Sequence, residues 1–275
     1  MSDIKRLWLI GGTSESVQLA VAIAQSKLPC IISVTTPTAK AIYPVAPSLE
    51  VWVGQLDANS IEAFLQVWGI VAILDASHPF ALVISQLAIF SADKYNIPYL
   101  RYERRELSYE NENLRLDNYD LSNSGREKVI EFDSVASIVN GNYLQGERVL
   151  LTLGYRFLDK FRVWQEKAVL FARILPSLIA LDAAVNAGFT PDRIMAIRPP
   201  ISADLERALW RNWQISVVIT KASGIAGGED IKRLVAKELG VILLVIKRPE
   251  IVYPELTTDF AVAWLFCEKV MGISW

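Results

Sequence analysis

The sequence predicts an α/β protein of two tandem Rossmann-like domains, with open parallel sheets and a cleft between the domains. Three observations predict this class. Short apolar runs alternate with segments of helical periodicity, glycine or polar residues follow most of these runs, and a polar, acidic stretch at about 106–125 interrupts the alternation. Strands that are apolar on both faces are typical of parallel sheets covered by helices on both sides.

The first domain is assigned to residues 1–105. Its predicted strands cover residues 7–10, 30–35, 49–53, 70–74 and 98–100, and its predicted helices cover 14–25, 61–68 and 81–94. Period-two or fully apolar runs of four to eight residues indicate the strands, and spacings of three and four indicate the helices.

Residues 106–125 are assigned to a linker or exposed excursion, and residues 126–275 to a second α/β domain. The predicted strands cover 148–153, 168–174, 193–197, 215–220 and 241–246, and the predicted helices cover 179–187, 203–213 and 229–239. A closing amphipathic helix at 258–271 is expected to dock on this second domain. The alternative is a single domain with a surface insertion.

Composition argues against several classes of protein. The chain has 28 basic and 30 acidic residues, so it lacks the basic surplus of a nucleic-acid-binding protein. Its apolar runs are far shorter than a membrane span, and its start shows no signal-peptide pattern. Cys30 and Cys267 lie in apolar stretches and are expected in the core, without a disulfide or a zinc site. We expect a cytoplasmic protein, monomeric or weakly dimeric, that binds no nucleic acid, membrane or metal.

A glycine turn follows the first predicted strand and opens the first helix. Gly11 and Gly12 permit a tight turn and a close approach of the backbone to a pyrophosphate, and the helix N-terminus offers N–H groups. Thr13 and Ser14 add hydroxyl donors, Ser14 is the expected N-cap, and Glu15 completes the motif. Because the motif is shorter than the full dinucleotide fingerprint, a turn that only packs helix on strand is the alternative.

The end of the second strand bears on the choice of nucleotide. A strict NAD site would have an acidic residue near this point to bind the ribose hydroxyls. Thr35 and Thr36 stand there instead, with Lys40 shortly after. This pattern favours NADPH over NADH.

The loop after the strand at 70–74 contains Asp75, Ser77, His78 and Pro79. His78 is the only histidine of the chain, and a place at the carboxyl end of a strand favours a site role as much as a structural one. Pro79 is expected in the first turn of the next helix. We assign this loop to the cofactor, with Asp75 and His78 as candidate proton donors.

Basic residues follow several other strands and predict contacts to carboxylates. Arg101 and Tyr102 end the first domain, and Arg156, Arg198 and Lys221 follow strands of the second. The same loops contain Thr152, Gly154, Ser223, Gly224 and Ser202, the last as a helix N-cap. The glycines after Lys221 are expected to form a second anion-binding nest. Solvated charged turns, and a glycine-rich lid without a ligand, are the alternatives.

Taken in order, eight segments resemble the precorrin-6A reductase family, which includes the cobalt-precorrin-6A reductases. They are Gly-Gly-Thr-Ser-Glu at 11–15, Val-Thr-Thr-Pro at 34–37, Val-Gly-Gln-Leu-Asp at 53–57, Asp-Ala-Ser-His-Pro-Phe-Ala at 75–81, Arg-Tyr-Glu-Arg at 101–104, Leu-Leu-Thr-Leu-Gly at 150–154, Lys-Ala-Ser-Gly at 221–224 and Ile-Lys-Arg-Pro at 246–249. Each segment is weak alone, but eight in sequence are specific.

The resemblance implies that NADPH or NADH is held mainly by the first domain and that a tetrapyrrole lies in the cleft. It implies hydride delivery to one double bond of the macrocycle, completed by a proton. The candidate substrate-binding residues are Arg101, Tyr102, Thr152, Gly154, Arg156, Arg198, Ser202, Lys221, Ser223 and Gly224. The candidate proton donors are His78, Tyr102 and Asp75, and solvent water is equally possible.

Three features depart from the family pattern. The loop after Gly224 keeps Gly227 and Gly228 but lacks the family's usual polar residues before the helix. Pro199 and Pro200 stand where the family has Gly-Pro-Phe, and a tail from about Glu250 extends beyond the expected end of the family without an assigned function. Glycine-rich turns also hold S-adenosylmethionine, so a methyltransferase is one alternative, although no acidic residue ends the second strand. A non-catalytic nucleotide sensor is the other, and both rest on fold analogy alone.

Overall fold

The computed structural model describes residues 4–105, 107 and 128–272, which divide into two compact units. The first unit comprises Met1–Arg105 and Pro249–Trp275, and the second comprises Glu106–Arg248. The end of the chain therefore returns to the first unit. The assignment of residues 126–275 to one domain needs this correction, because the last segment packs elsewhere.

The first unit is a six-stranded sheet with helices on both faces. Its strands are β1 (Arg6–Ile10), β2 (Cys30–Val34), β3 (Leu49–Val53), β4 (Ile70–Asp75), β5 (Tyr99–Tyr102) and β12 (Leu256–Thr257). Its helices are α1 (Ser14–Gln25), α2 (Pro37–Lys40), α3 (Ile61–Trp68), α4 (Leu82–Tyr95) and α9 (Phe260–Met271). Every neighbouring pair of strands is parallel, in the order β12-β5-β4-β1-β2-β3.

Alternate residues of the buried strands enter two different cores. Leu7 and Leu9 of β1 face the core that contains α1 and α9, whereas Trp8 and Ile10 face the core that contains α3 and α4. Because both faces are covered, residues 7–10 of β1 are all apolar, which explains this apolar run in the sequence.

Helix α9 packs against β1, β4 and β5 of the first sheet. Ala263 and Cys267 are fully buried there, in the same core as Cys30. The expectation that this helix docks on the second domain is therefore wrong. The periodicity of α9 predicts one apolar face but not which sheet that face covers. Strand β12, which precedes α9 and pairs with β5, has only two residues and is too short to show a period.

The second unit contains another six-stranded parallel sheet, in the order β6-β11-β10-β7-β8-β9. Its strands are β6 (Val129–Phe132), β7 (Arg148–Leu151), β8 (Val169–Ile174), β9 (Ile194–Ala196), β10 (Val217–Lys221) and β11 (Ile242–Ile246). Its helices are α5 (Val135–Val139), α6 (Leu178–Asn186), α7 (Ala203–Asn212) and α8 (Glu229–Leu239), with a 3₁₀ stretch at Tyr155–Trp164. Strand β6, helix α5 and this 3₁₀ stretch were not predicted from the sequence.

Both sheets have the doubly wound strand order: from β1 or β7 onward, successive strands are added first on one side of that strand and then on its other side. We call the place between these two sides the reversal point. The reversal falls between β1 and β4 in the first sheet and between β7 and β10 in the second. The two sheets differ in the origin of one edge strand. In the first sheet this strand is β12, which comes after all the other strands in the chain, whereas in the second sheet it is β6, which comes before all the others. The predicted fold class of two Rossmann-like parallel sheets is confirmed, and no helix in the described part of the chain is long and apolar enough to cross a membrane.

Candidate active site

The glycine turn at the first reversal point depends on both glycines for steric reasons. Gly12 has φ +103°, a value that favours glycine strongly. A Cβ atom on Gly11 would lie 2.3 Å from the hydroxyl oxygen of Tyr43. Tyr43 also accepts a hydrogen bond from the N–H of Gly12 at 2.7 Å. Tyr43 was not predicted as a site residue, since it lies in a loop with no motif.

Thr13, and not Ser14, is the N-cap of α1, which corrects the expected cap by one residue. The Thr13 hydroxyl accepts from the N–H of Ser16 at 3.1 Å and donates to the carbonyl of Ala76 at 2.7 Å. The Ser16 hydroxyl oxygen accepts in turn from the N–H of Thr13 at 3.1 Å, which completes a capping box. Thr13 therefore ties the turn to the loop after β4 and does not offer a free hydroxyl to a ligand.

The next two residues carry the groups that remain for an anion. Ser14 is exposed and Glu15 is half-buried at the start of α1, where the first N–H groups of a helix have no intrahelical acceptor. The Glu15 carboxylate pairs with Arg104 at 2.8 Å, so its charge is offset beside this N-terminus. These N–H groups and the helix dipole suit a phosphate.

The loop after β2 is solvent-facing and carries no acidic side chain between residues 35 and 40. Thr35, Thr36 and Lys40 are all exposed. Thr36 caps the short helix α2 by accepting from the N–H of Ala39 at 3.2 Å. Thr35 and Lys40 are thus the groups of this loop that are best placed for a ligand.

Asp75 at the end of β4 is fully buried and fully engaged. One carboxylate oxygen accepts from the backbone N–H of Ser77 at 3.0 Å and from Arg101 at 2.8 Å. The other accepts from the hydroxyls of Ser85 at 2.7 Å and Tyr99 at 2.9 Å. This side chain holds the loop in shape and has no surface toward a ligand, so its assignment as a cofactor contact or proton donor is corrected.

Arg101 is equally buried, and all five of its N–H donors are used. They go to Asp75, to the hydroxyl and carbonyl oxygens of Ser77, and twice to the carboxylate of Glu103, at 2.7–3.0 Å. Its guanidinium also stacks 5.3 Å from the ring centre of Tyr253. The predicted role of Arg101 in binding substrate is corrected, because no donor is left for a carboxylate. Ser77 likewise belongs to this internal network.

Three other predicted residues lie around the same edge. His78 is half-buried, and its Nδ1 accepts from the N–H of Phe80 at 3.2 Å. Pro79 lies in a turn before α4, since the helix begins only at Leu82, and the expectation that Pro79 opens that helix is wrong. Tyr102 is half-buried; burial raises the pKa of its phenol, and the nearby Glu15 carboxylate raises it further.

At the second reversal point, two cations interact electrostatically. Lys221 ends β10, and its ammonium lies 4.3 Å from the ring centre of Phe157. Burial, together with the positive charge of Arg156, lowers the pKa of Lys221 to about 8. Arg156 itself is exposed on the 3₁₀ stretch after β7. An anion between these two groups would relieve their repulsion.

The loop after β7 has a defined shape. Thr152 donates its hydroxyl to the carbonyl of Ile219 at 3.0 Å, which joins β7 to β10. Gly154 has φ +83° and starts the 3₁₀ stretch that presents Arg156. These two residues therefore shape the loop, and their predicted contacts to substrate stay predictions.

The predicted second anion-binding nest is wrong for the glycine-rich loop after Lys221. The N–H of Gly224 donates to the Glu229 carboxylate at 2.9 Å, and the N–H groups of Gly227 and Gly228 donate to carbonyls within the loop. Lys232 donates to the carbonyls of Gly227 at 2.8 Å and Gly228 at 2.9 Å. The loop is thus closed by acidic and basic side chains of α8 instead of an external anion.

Ser223 is buried beneath this loop. A Cβ atom on Gly227 would lie 1.9 Å from the Ser223 hydroxyl, so glycine is required there. Arg198 and Ser202 lie at the far edge of the sheet, after β9, and Ser202 caps α7 as expected. Two strands separate β9 from β10, so the structure does not bring Arg198 to the Lys221 pair.

The doubly wound fold, with a glycine turn and a helix N-terminus at a reversal point, defines a Rossmann-type protein. Residues 6–268 match the family described as Precorrin-6x reductase CbiJ/CobK. The chain is 42% identical over 272 residues to cobalt-precorrin-6A reductase of Synechocystis, covering 98% of both chains. It is 32% identical over 258 residues to the enzyme of the same name from Priestia megaterium, covering 92% of this chain and 94% of the relative.

The chain belongs to the precorrin-6x reductase family and is an oxidoreductase of cobalamin biosynthesis, which confirms the resemblance seen in the sequence. A solved structure titled CobK precorrin-6A reductase has the same fold, with a TM-score of 0.75, 21% identity and 98% coverage of each chain. Such a reductase implies a nicotinamide cofactor. Because the family match runs to residue 268, the tail after Glu250 lies within the family and not beyond it.

Proposed function

We propose that this protein reduces one double bond of cobalt-precorrin-6A with a hydride from NADPH. The relatives from Synechocystis and Priestia megaterium, 42% and 32% identical to this chain, carry the name of that activity. The metal-free macrocycle is the second candidate, because the relative from Rhodococcus erythropolis, 28% identical over 267 residues, is named precorrin-6A reductase. A monomer or weak dimer that binds no nucleic acid stays our expectation.

The first unit suits the nicotinamide cofactor. The N–H groups of Ser14 and Glu15 at the start of α1 would hold the pyrophosphate, and the left-handed Gly12 leaves open space beside the turn. Thr35 and Lys40 would face the ribose phosphate that distinguishes NADPH, where a carboxylate would repel it. When bound, the cofactor supplies the hydride, and the chain supplies position and charge.

The second unit suits a flat macrocycle with carboxylate substituents. Lys221 and Arg156 would bind the carboxylates, because an anion between them relieves their mutual repulsion. Beside them, β8 ends at the same edge, and the residues after it expose apolar side chains. Leu175, Leu178 and Ile179 are 51%, 79% and 65% exposed. An apolar surface next to two cations matches the face and the rim of a tetrapyrrole.

Fewer side chains can donate the proton that completes the reduction than the sequence indicated. Asp75 is removed from the candidates by its burial and its four hydrogen bonds. His78 and Tyr102 remain, each half-buried at the carboxyl edge of the first sheet. Solvent water remains a third source, and comparison of His78→Gln with Tyr102→Phe at saturating substrate separates the three.

The test is a reductase assay with cobalt-precorrin-6A and either NADPH or NADH, which follows the loss of the reduced nicotinamide absorbance. Ser14→Asp places a carboxylate at the proposed phosphate site, and we expect it to raise KM for NADPH by more than about tenfold. Ser14→Asn is the matched neutral control. Lys221→Met should raise KM for the tetrapyrrole by about 10- to 100-fold, whereas Arg198→Met, at the far edge, should change it by less than about threefold. Equal losses in the two basic variants would contradict the proposed substrate site.

A further inference from the structure

The hydroxyl of Tyr43 lies inside the glycine turn. It accepts from the N–H of Gly12 at 2.7 Å and lies 2.6 Å from the hydroxyl of Ser16. The Ser16 hydroxyl donates its proton to the carbonyl of Thr13 at 2.7 Å, so Tyr43 donates to Ser16. Tyr43 is only 6% exposed, although it follows the short surface helix α2. Burial raises the pKa of its phenol, which stays neutral near pH 7.

These contacts change which backbone groups are open to a phosphate. The N–H of Gly12 is taken by Tyr43, and the N–H of Thr13 is taken by the Ser16 hydroxyl. The next donors along the chain are the N–H groups of Ser14 and Glu15, at the first two positions of α1. The phenol therefore occupies the place that a phosphate oxygen would take at Gly12. The donors left for an anion are the N–H groups of Ser14 and Glu15.

The same contacts give a different reason for the glycine at position 11. In a dinucleotide turn, glycine usually lets the backbone approach the pyrophosphate. Here the atom nearest to a Cβ on Gly11 would be the Tyr43 hydroxyl oxygen, at 2.3 Å, followed by Ile32 Cγ2 at 3.0 Å and Tyr43 Cζ at 3.1 Å. Gly11 is thus required by a side chain of the protein itself.

We propose that Tyr43 is a positioning residue of the cofactor site. Its hydroxyl accepts the hydrogen bond of the Gly12 N–H from inside the protein. It thereby holds the first turn of α1 so that Ser14 and Glu15 present their N–H groups to the phosphate. This inference rests on the proposed nicotinamide site in the first unit. It assigns Tyr43 no contact with the cofactor.

The first test is Tyr43→Phe, with NADPH affinity measured by nicotinamide fluorescence and turnover measured at saturating NADPH. Removal of the hydroxyl removes its hydrogen bonds with Gly12 and Ser16, so the glycine turn and the start of α1 are held less firmly. Kd for NADPH should therefore rise about five- to tenfold, while kcat stays within about twofold. Tyr95→Phe, at the end of α4, is the matched control and should leave both unchanged. An unchanged Kd in Tyr43→Phe, or a tighter one, would overturn the inference.

The second test is a rescue. Gly11→Ala should weaken NADPH binding strongly, because its methyl group would collide with the Tyr43 hydroxyl. Combined with Tyr43→Phe, the nearest atoms are at 3.0 and 3.1 Å, so the double variant should bind NADPH more tightly than Gly11→Ala alone. Equal loss in both backgrounds would show that Gly11 serves the cofactor directly, which overturns the inference. If the unaltered chain bound neither nucleotide, the proposed cofactor site itself would fail.

Discussion

The two sheets share a strand order but differ in the burial and the partners of the basic side chains near their reversal points. In the first sheet, Arg101 is buried against Asp75 and Glu103, and every donor has an internal acceptor. In the second sheet, burial lowers the pKa of Lys221, and the positive charge of Arg156 contributes to that lowering. Two arginines near strand ends therefore differ in burial and in partners: Arg101 is internal, whereas Arg156 is exposed and is proposed to bind the substrate.

The largest expected effect tests whether the first sheet depends on the returning tail while the second does not. Ala263→Asp places a carboxylate in the core between α9 and the first sheet, where Ala263 is fully buried. We expect the first unit to lose more than about 4 kcal/mol of stability and NADPH binding to be lost. Leu265→Asp, on the exposed face of α9, is the control and should cost less than about 0.5 kcal/mol. Limited proteolysis that cleaved both units equally in Ala263→Asp would contradict the comparison.

The next effect contrasts the two arginines directly. Arg101→Met leaves Asp75 as an uncompensated buried charge, so we expect a loss of about 3–5 kcal/mol in urea unfolding. Arg156→Met removes an exposed cation and should change the free energy of unfolding by less than about 0.5 kcal/mol, while it raises KM for the tetrapyrrole. Similar stability losses in the two variants would show that the distinction between the edges is wrong.

A pH profile sharpens the account of the second edge. Burial and the neighbouring Arg156 lower the pKa of Lys221 to about 8, so its ammonium charge is lost as the pH rises through about 8. Binding of a carboxylate needs the charged form, and kcat/KM for the tetrapyrrole should therefore fall above pH 8. Lys221→Arg keeps its charge across this range and should remove that limb of the profile. Retention of the same limb in Lys221→Arg would assign it to another group.

The smallest expected effect concerns nucleotide choice at the first edge. Thr35→Asp places a carboxylate at the end of β2, where it would repel the phosphate of NADPH and accept from the ribose hydroxyls of NADH. We expect the preference for NADPH to fall by about tenfold, which corresponds to about 1.4 kcal/mol. Thr35→Asn is the uncharged control. The measurement is the ratio of kcat/KM for the two nucleotides, and an unchanged ratio would place the ribose phosphate elsewhere.

Much of the fold could be predicted because its signals are local. Helices α1, α3 and α8 and strand β3 have the predicted bounds, since each shows a complete period between clear breaks. The short elements α2, β6, α5 and β12 were missed because four or five residues, or two, contain too few repeats to show a period.

The candidate site was predicted less evenly. The loops were chosen because ligand sites in doubly wound sheets lie at the carboxyl ends of the strands, and that choice stays a prediction. The roles inside them were not: Thr13 caps α1, Asp75 and Arg101 neutralise each other, and the glycines at 227 and 228 are closed by Lys232. Tyr43 carried no signal, because its partner Gly12 lies 31 residues away in the chain.

By itself, the sequence determined the class of fold, the order of most strands and helices, and the family, since these follow from local periodicity and from motifs in order. The tertiary structure alone decided that α9 belongs to the first unit, that Arg101 is internal while Arg156 is exposed, and that Tyr43 occupies the glycine turn. Those outcomes depend on partners far away in the chain, and burial decides them, because a charge or hydroxyl removed from water must be satisfied by whatever group the fold brings beside it.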